Sequence, residues 1–169
     1  IEDAIKAVSL ANEKAGSTIA TLDLYGNVET CDSPWFDAVK ASMPETVAYR
    51  GKVAFDKSVD TLKEYTALLF PTYYPGEGLA GTVIDAFAAG LPVVASDWHD
   101  NANIITDGKN GFVFSTRDVN RLASIISDIY TRQEQLIPMK LRCIESAHAY
   151  LPPIVMRILA AELDICKTK

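Results

Sequence analysis

Two carboxylates and three glycines lie close together in the middle of the sequence. Glu77 sits in a loop that contains Gly76, Gly78 and Gly81, and Asp85 follows Glu77 by eight residues. Ionised carboxylates accept hydrogen bonds and donate none, so they suit a ligand that presents hydroxyl groups. Glycines let a ligand approach the backbone closely. Together these residues predict a site for a small polar molecule.

This loop connects a predicted strand to a predicted helix. Apolar residues 67–70 suit a buried strand, and residues 82–89 suit a helix that Gly90 and Pro92 bring to an end. A second buried strand follows at residues 93–96. The order is strand, loop, helix, strand, and the loop lies at the carboxyl end of a strand. Ligands of open α/β sheets bind at that edge.

The start of the helix favours a ligand that carries both a phosphate and a sugar. The first backbone N–H groups of a helix have no partner inside it, and the helix dipole favours negative charge there. Glu77 is itself an anion, so the loop is not a simple phosphate site. A carboxylate there suits a neutral, hydroxyl-rich group beside the phosphate. Asp85 lies about one turn into the helix, where it suits the paired hydroxyls of a ribose.

The joined motifs resemble those of the retaining glycosyltransferases of the family-4 type (group 1), which have the GT-B fold. That family has two acids separated by seven residues in a loop-helix unit, followed by a strand of the pattern GxPVxxS/T. Here the acids are Glu77 and Asp85, and residues 89–96 carry the strand pattern. The family's N-x-E-I-I and DGxxGxxF stretches correspond to residues 101–105 and 107–114.

The resemblance extends over at least residues 22–114 and implies a hexosyltransferase-like enzyme. Such a domain binds a nucleotide sugar and transfers the sugar with retention. Glu77 would then be the catalytic residue at the donor sugar, and Asp85 would bind the ribose. In the family, an element similar to residues 47–53 lies by the nucleotide base. The alternative for this chain is that these residues form only a strand-to-helix turn that contacts no ligand. The implied substrate-binding residues are Gly51, Lys52, Val53, Gly76, Gly78, Leu79, Ala80, Gly81, Thr82 and Asp85.

The resemblance also implies what lies outside this chain. No metal ion or other cofactor is required, because the helix N-terminus and a basic pair, Arg and Lys, carry the charge of the leaving nucleoside diphosphate. The acceptor, a glycan, a lipid-linked or another molecule, would bind an N-terminal lobe across a cleft. An isolated donor lobe is therefore expected to bind nucleoside diphosphate weakly and to transfer no sugar.

Three departures from the family pattern bear on these expectations. The second acid is Asp85 rather than Glu, and Asn103 stands where an acid is common. The family's first strand and its basic pair have no equivalent, since Lys14 and Lys52 lie in a different context. The chain begins at Ile1 with what resembles the helix after that strand. We therefore expect an upstream piece, and an exposed apolar surface where the strand would lie.

Hydrophobic periodicity predicts the remaining elements. Predicted strands lie at residues 18–25, 46–49, 67–70, 93–96 and 111–114. Predicted helices lie at residues 2–15, 34–43 (capped by Ser33), 59–65 (capped by Ser58), 82–89, 101–106 and 117–130, with two more that end at residue 165 and are divided near 151–153. The alternation predicts a doubly wound, Rossmann-like parallel sheet of about five strands with helices on both faces, one lobe of a GT-B fold. Residues 1–169 are expected to form a single C-terminal donor-binding domain.

Composition excludes several classes of function. A formal net charge of −6 opposes binding to nucleic acid. No run approaches about 18 apolar residues, so no transmembrane segment is predicted, and no signal peptide is visible. Cys31, Cys143 and Cys166 have no metal-binding spacing and suit buried thiols in a reducing compartment. We expect a cytoplasmic protein, with peripheral association at the inner face of the membrane left open.

Two alternative functions stay open from the sequence alone. One is a nucleotide-sugar epimerase of the same fold, which forms an epimer instead of transferring a sugar. The other is a non-catalytic binding or regulatory domain of flavodoxin-like topology, which the spacing of Glu77 and Asp85 disfavours. Around the site, Tyr73 and Tyr74 either line the sugar pocket or pack the loop. Asp97 either caps the next segment or contacts the ligand.

Overall fold

Short parallel strands alternate with helices throughout residues 1–163, which are the residues that this computed structural model describes. The strands are β1 (Leu22–Tyr25), β2 (Val47–Gly51), β3 (Leu68–Phe70), β4 (Val93–Ser96) and β5 (Gly111–Phe114). The helices are α1 (Glu2–Ala15), α2 (Ser33–Ala41), α3 (Ser58–Leu62), α4 (Gly81–Ala88), α5 (Asn101–Ile104), α6 (Val119–Thr131), α7 (Leu136–His148) and α8 (Pro152–Glu162). Helices lie on both sides of the strands, so the predicted α/β class is confirmed.

Strand β4 lies at the centre of the core. It pairs in parallel with β3 on one side and with β5 on the other, and all four of its residues are buried. Val94 packs into an apolar cluster with α1 and α6, whereas Val93 and Ala95 pack into a second cluster with α4 and α7. Successive side chains of a strand point to opposite faces, so a strand with apolar side chains on both faces must be covered on both.

The five strands form two sheets rather than one continuous sheet. Strands β1 and β2 pair with each other, and β3, β4 and β5 form the second sheet. Within residues 1–163, β1 and β3 therefore pair on one side only. A cavity of about 950 Å³ lies between them, and we call it the interstrand slot. Its walls include residues of β1, β3, α1 and α6.

Most predicted boundaries hold within a few residues, and the first strand shows why some do not. Helix α1 and strands β4 and β5 have the predicted bounds, and Gly16 ends α1 in the left-handed conformation. Strand β1 begins only at Leu22. The Asn12 side chain accepts hydrogen bonds from the N–H groups of Ile19 and Ala20 and donates one to the Ala20 carbonyl. The backbone groups of Ile19 and Ala20 are therefore not free to pair with a neighbouring strand, so β1 starts after them.

The predicted helix starts are shifted by small capping differences. Ser33 and Ser58 are the first residues of α2 and α3 rather than their caps, and neither N-cap residue makes a side-chain capping bond. Helix α6 begins after Asp118, whose carboxylate accepts a hydrogen bond from the Arg121 N–H. Helix α8 begins at Pro152, because proline fits a first helical turn. The predicted end of that helix at residue 165 lies outside the described residues.

The segment 107–114 has a structural role. The Asp107 carboxylate accepts a hydrogen bond from the Val113 N–H at 2.9 Å, and Gly108 has a φ of 72°. The buried Asn110 side chain bonds Thr106, Ile104 and Ser146, which ties α5 to α7. The family-like DGxxGxxF stretch thus builds the turn before β5.

The cysteines differ in environment. Burial raises the pKa of the Cys143 thiol to about 12, and the thiol donates to the Asn110 carbonyl. Cys31 is exposed, which corrects its expected burial, because it lies in a surface 3-10 turn at Thr30–Asp32. Cys166 lies outside the described residues.

Gly111 provides a test of the tight packing beside β4. A Cβ atom at Gly111 would lie 2.1 Å from the Val93 carbonyl oxygen and 2.9 Å from Ile105 Cγ2. Because a backbone atom cannot yield easily, we expect Gly111→Ala to lower the free energy of unfolding by about 1–3 kcal/mol. Urea unfolding followed by circular dichroism measures the change.

Gly78→Ala is the matched control, because a Cβ atom there would meet nothing within 4 Å. Equal free energies of unfolding for both variants would contradict this account of β4 and β5.

Candidate functional site

Three loops meet at the carboxyl edge of β3, β4 and β5. The Ser96 hydroxyl at the end of β4 donates a hydrogen bond to the Thr72 carbonyl in the loop after β3. The Trp98 indole N–H donates to the Tyr74 carbonyl at 2.8 Å. The Arg117 guanidinium, in the loop after β5, lies 4.5 Å from the centre of the Tyr73 ring. The loop that carries Glu77 is therefore held by its neighbours on two sides.

Glu77 is positioned by Thr72. The Thr72 hydroxyl lies 3.2 Å from Glu77 Oε2 and donates to it, and the same hydroxyl oxygen accepts a hydrogen bond from the Tyr74 N–H. The Glu77 N–H donates to the Tyr74 carbonyl, which closes a turn. Glu77 is half-buried. A carboxylate is thus held in one orientation just before a helix, at the edge where sequence reasoning placed it.

The N-terminus of α4 is open. Ala80 is its N-cap residue in an extended conformation, no side chain caps it, and its first turn carries no acid. Gly76, Gly78, Leu79, Gly81 and Thr82 are exposed, and Ala80 is half-buried. The uncapped N–H groups and the helix dipole make this end suitable for an anionic group. A Cβ atom at Gly78 or Gly81 would meet nothing within 4 Å, so the backbone at these two glycines is open to a ligand.

Asp85 lies one turn into α4 and is half-buried. Its neighbours Val83, Ala86 and Phe87 are buried in the core, which fixes the rotation of the helix. Within residues 1–163 its carboxylate has no hydrogen-bond or ion-pair partner, so its acceptor capacity is open to a ligand. Asp85 does not line the interstrand slot.

Gly51, Lys52 and Val53 lie at the end of β2. Gly51 has a φ of 79°, a region that favours glycine, and its carbonyl accepts a hydrogen bond from the Gly26 N–H. Lys52 and Val53 line the interstrand slot together with Thr72 and Thr82. The structure thus brings the end of β2, the loop after β3 and the start of α4 to one cavity. Lys52 borders this cavity, although its sequence context did not match the basic pair.

A polar network on one face of the slot was missed by sequence reasoning. The Tyr65 hydroxyl is 2.7 Å from both Asp23 Oδ2 and the Tyr25 hydroxyl, and Arg50 Nε lies 3.0 Å from Asp23 Oδ1. Burial, followed by the hydrogen bonds with Tyr25 and Asp23, raises the pKa of Tyr65. The signal in the sequence was slight, one acid in an otherwise apolar strand.

Asp97 connects the loops after β4 and β5. Its Oδ1 accepts hydrogen bonds from the Thr116 N–H at 2.7 Å and from the Thr116 hydroxyl at 2.8 Å. The expected cap of the next segment is therefore not formed by Asp97, because its carboxylate bonds the loop after β5 instead. The next residue but one, His99, is exposed with a φ of 48° and packs edge-on against Trp98. Strained residues of this kind concentrate at functional sites.

No group of three or more His, Cys, Asp or Glu side chains in residues 1–163 is placed to hold a metal ion. None of the helices in this part of the chain is both long and apolar enough to span a bilayer.

Comparison with known proteins identifies related sequences. A family model described as glycosyl transferases group 1 matches residues 1–132. A D-inositol 3-phosphate glycosyltransferase from Streptomyces scabiei is 26% identical over 112 residues, which cover 66% of this chain and 24% of that protein. The chain thus spans about a quarter of the length of this curated relative.

Solved structures share the fold at low sequence identity. HepE from Anabaena, in complex with UDP, has a TM-score of 0.81 and 16% identity, and the match covers 96% of this chain and 44% of that chain. The pneumococcal O-GlcNAc transferase GtfA, in complex with UDP and GlcNAc, has a TM-score of 0.77 and 19% identity over 99% of this chain and 33% of that chain. The C-terminal domain of a group 1 glycosyl transferase (LpcC) from Francisella tularensis has a TM-score of 0.71 and 14% identity over 87% of this chain and 76% of that domain.

The Asp97 contact predicts a dependence of stability on pH. Hydrogen bonds from the Thr116 hydroxyl and N–H lower the pKa of Asp97. A lowered pKa stabilises the fold above the unfolded value of about 4, and this contribution is lost as the pH falls through the folded pKa. We expect Asp97→Asn to lower the free energy of unfolding at pH 7 by at most about 1 kcal/mol, because the group is exposed. Below about pH 4 the difference should shrink.

Thermal unfolding between pH 3 and pH 7 measures this difference. Asp37→Asn, at an exposed acid on α2, is the control and should show no such pH dependence. A deficit of Asp97→Asn that stays constant with pH would contradict the charged hydrogen bonds.

Proposed function

The chain belongs to the glycosyl transferases group 1 family, and from this premise we propose that it forms the donor-binding lobe of a retaining glycosyltransferase. The observation that carries the proposal is Glu77, a carboxylate oriented by Thr72 beside the uncapped N-terminus of α4. Family membership favours this function over the flavodoxin-like alternative. Because two of the similar structures contain UDP, the proposed donor is a UDP-sugar.

The proposed diphosphate site is the start of α4. The N–H groups between Gly78 and Thr82 face the phosphates, and the helix dipole stabilises the negative charge that grows on the leaving UDP. Among the described residues that line the slot, Lys52 has the only cationic side chain, and it adds positive charge at the same cavity. Neither element requires a metal ion. The nucleotide base is proposed to lie at the end of β2, beside Gly51, Lys52 and Val53.

Glu77 is proposed as the residue that acts on the donor sugar. Its carboxylate accepts hydrogen bonds from sugar hydroxyls and so fixes the sugar relative to the leaving phosphate. A negative group near the anomeric carbon also stabilises positive charge in an oxocarbenium-like transition state. The Thr72 hydroxyl acts through Glu77, since it sets the orientation of the carboxylate. Thr72 is therefore a positioning residue.

Asp85 is proposed as the ribose ligand. Its unpartnered carboxylate can accept two hydrogen bonds from the 2′ and 3′ hydroxyls, and the buried neighbours Ala86 and Phe87 hold its helix in place. The shorter Asp in place of the family's Glu requires the ribose to lie closer to the axis of α4.

The acceptor is proposed to bind a second lobe. The chain spans between about a quarter and less than half of the relatives HepE, GtfA and the inositol phosphate glycosyltransferase. Transfer requires donor and acceptor to be held together, and this positioning lowers a barrier by about 7–11 kcal/mol. A glycan or a lipid-linked acceptor, with a cytoplasmic site of action, remains our proposal for the whole enzyme.

Nucleotide binding by the 169-residue chain tests the ribose assignment. We expect Asp85→Ala to weaken UDP binding by about 1.5–3 kcal/mol, because charge-assisted hydrogen bonds are lost. Binding of 2′,3′-dideoxy-UDP should not respond to the substitution. Isothermal titration calorimetry of both ligands gives the comparison, with Asp37→Ala as the control at an exposed acid. Equal losses for UDP and its dideoxy analogue would mean that Asp85 acts on the fold.

Sugar transfer tests the role of Glu77. In an enzyme that carries this chain together with an acceptor lobe, Glu77→Gln should lower kcat by about 100-fold or more and leave UDP affinity nearly unchanged. The Gln side chain keeps the size and removes the charge, so the loss reports on the transition state. Glu134→Gln, in a surface turn after α6, is the control.

Product analysis in the same assay separates transfer from epimer formation. Unchanged turnover of Glu77→Gln would remove Glu77 from the mechanism, and an epimerised nucleotide sugar without transfer would refute the proposed reaction.

A further inference from the structure

The backbone of Tyr74 joins the turn that carries Glu77 to the loop after β4. The Tyr74 carbonyl oxygen accepts two hydrogen bonds, one from the Glu77 N–H at 3.0 Å and one from the Trp98 indole N–H at 2.8 Å. A carbonyl oxygen has two lone pairs, so both bonds can form at once. Trp98 and Glu77 are therefore connected through a single acceptor atom, although they lie on different loops.

The sequence of this turn makes it dependent on contacts from outside. Pro75 follows Tyr74 and has no N–H, so the carbonyl is the only polar group of the peptide unit between them. Gly76 and Gly78 flank Glu77, and glycine restricts the backbone least. Without the hydrogen bond from the loop after β4, a rotation of that peptide unit would therefore displace Glu77.

The Glu77 carboxylate is held from both ends of the turn. Its Oε2 accepts a hydrogen bond from the Thr72 hydroxyl at 3.2 Å, and the same hydroxyl oxygen accepts one from the Tyr74 N–H. The Thr72 carbonyl in turn accepts a hydrogen bond from the Ser96 hydroxyl. Ser96 thus holds one end of the turn and Trp98 holds the other, and both orient the same carboxylate.

Trp98 itself is held in place by the loop after β4. Its carbonyl accepts a hydrogen bond from the Asn101 N–H at 3.2 Å, and the buried Asn101 side chain donates to the Ser96 carbonyl at 3.1 Å. The Trp98 ring packs edge-on against His99, with the ring centres 4.8 Å apart. Neither apolar cluster of residues 1–163 includes Trp98. The position of the indole is therefore set by this loop rather than by the core.

We propose that Trp98 is a positioning residue for sugar transfer, because its indole N–H holds the Tyr74 carbonyl and so fixes Glu77 beside the start of α4. The inference rests on the proposed role of Glu77 at the donor sugar and extends it to a residue on another loop. A small displacement of Glu77 lowers turnover, whereas the N–H groups of α4 and Asp85 still bind the nucleotide. The loss should therefore appear in kcat and not in KM.

Amide hydrogen exchange in the 169-residue chain tests the contact without nucleotide. Trp98→Phe keeps an aromatic ring and removes the N–H. We expect it to speed exchange of the Glu77 N–H by about tenfold or more, because the turn opens more often. Trp35→Phe, the same change at the chain's other tryptophan, which is exposed on α2, is the control. The Leu68 N–H, which is bonded to the Pro92 carbonyl, serves as the internal reference.

Turnover tests the consequence in an enzyme that carries this chain together with an acceptor lobe. The donor is the member of a panel of UDP-sugars that the unsubstituted enzyme uses fastest. We expect Trp98→Phe to lower kcat by about 10-fold to 100-fold and to change the KM for this donor by less than about twofold. In the Glu77→Gln background the same substitution should have no further effect, because the group that it positions is already lost. Trp35→Phe should leave kcat unchanged in both backgrounds.

Unchanged exchange at Glu77 or unchanged kcat in Trp98→Phe would overturn the inference, and so would losses that multiply in the double variant. An unchanged kcat of Glu77→Gln would instead refute the proposed function, and the role of Trp98 would be refuted with it. If Trp98→Phe does not fold, 3-benzothienylalanine at position 98 keeps the shape of the indole ring and replaces only its N–H. The same exchange and turnover outcomes then decide.

Discussion

The burial of β4 is the constraint on which the other elements depend. A strand with apolar side chains on both faces must have both faces covered, and two helix pairs do this. The demand for close approach explains Gly111, whose missing Cβ leaves space for the Val93 carbonyl. Helix α4 packs Val83 and Phe87 into this core, and that packing fixes its rotation and leaves Asp85 only half-buried. The position of the candidate ribose ligand follows from core packing.

The candidate site residues are concentrated at the carboxyl ends of the strands. Loops are mobile unless something holds them. Here the hydrogen bonds from Ser96 and Trp98, together with the cation–π contact of Arg117, hold the loop after β3. Thr72 is central, because its carbonyl anchors the loop and its hydroxyl orients Glu77. The oriented carboxylate and the uncapped helix at this held sheet edge would form a prearranged site for the proposed donor.

Local patterns were sufficient to predict most of the fold and the sheet edge at which the candidate site residues lie. Helix α1 and strands β4 and β5 are set by periodicity and by glycine, which act within a few residues. The late start of β1, at Leu22 instead of residue 18, depends on Asn12, whose side-chain amide competes for the backbone groups of residues 19 and 20. The bond between Tyr65 and Asp23 joins residues far apart in sequence, and no local signal announces it. The same is true of the separation into two sheets, which depends on pairing across the whole domain.

The packing of α1 on α6 has a consequence for how the chain folds. These helices lie near opposite ends of the family-matched region, yet the apolar face of α1 is covered chiefly by α6. During synthesis α1 leaves the ribosome before α6, so the apolar face of α1 stays exposed until α6 has been made. Contacts between residues far apart in sequence slow folding. Apolar surface that stays exposed in the meantime favours misfolding and aggregation. The domain is therefore expected to complete its core late and to depend on protection of its first helix while translation continues.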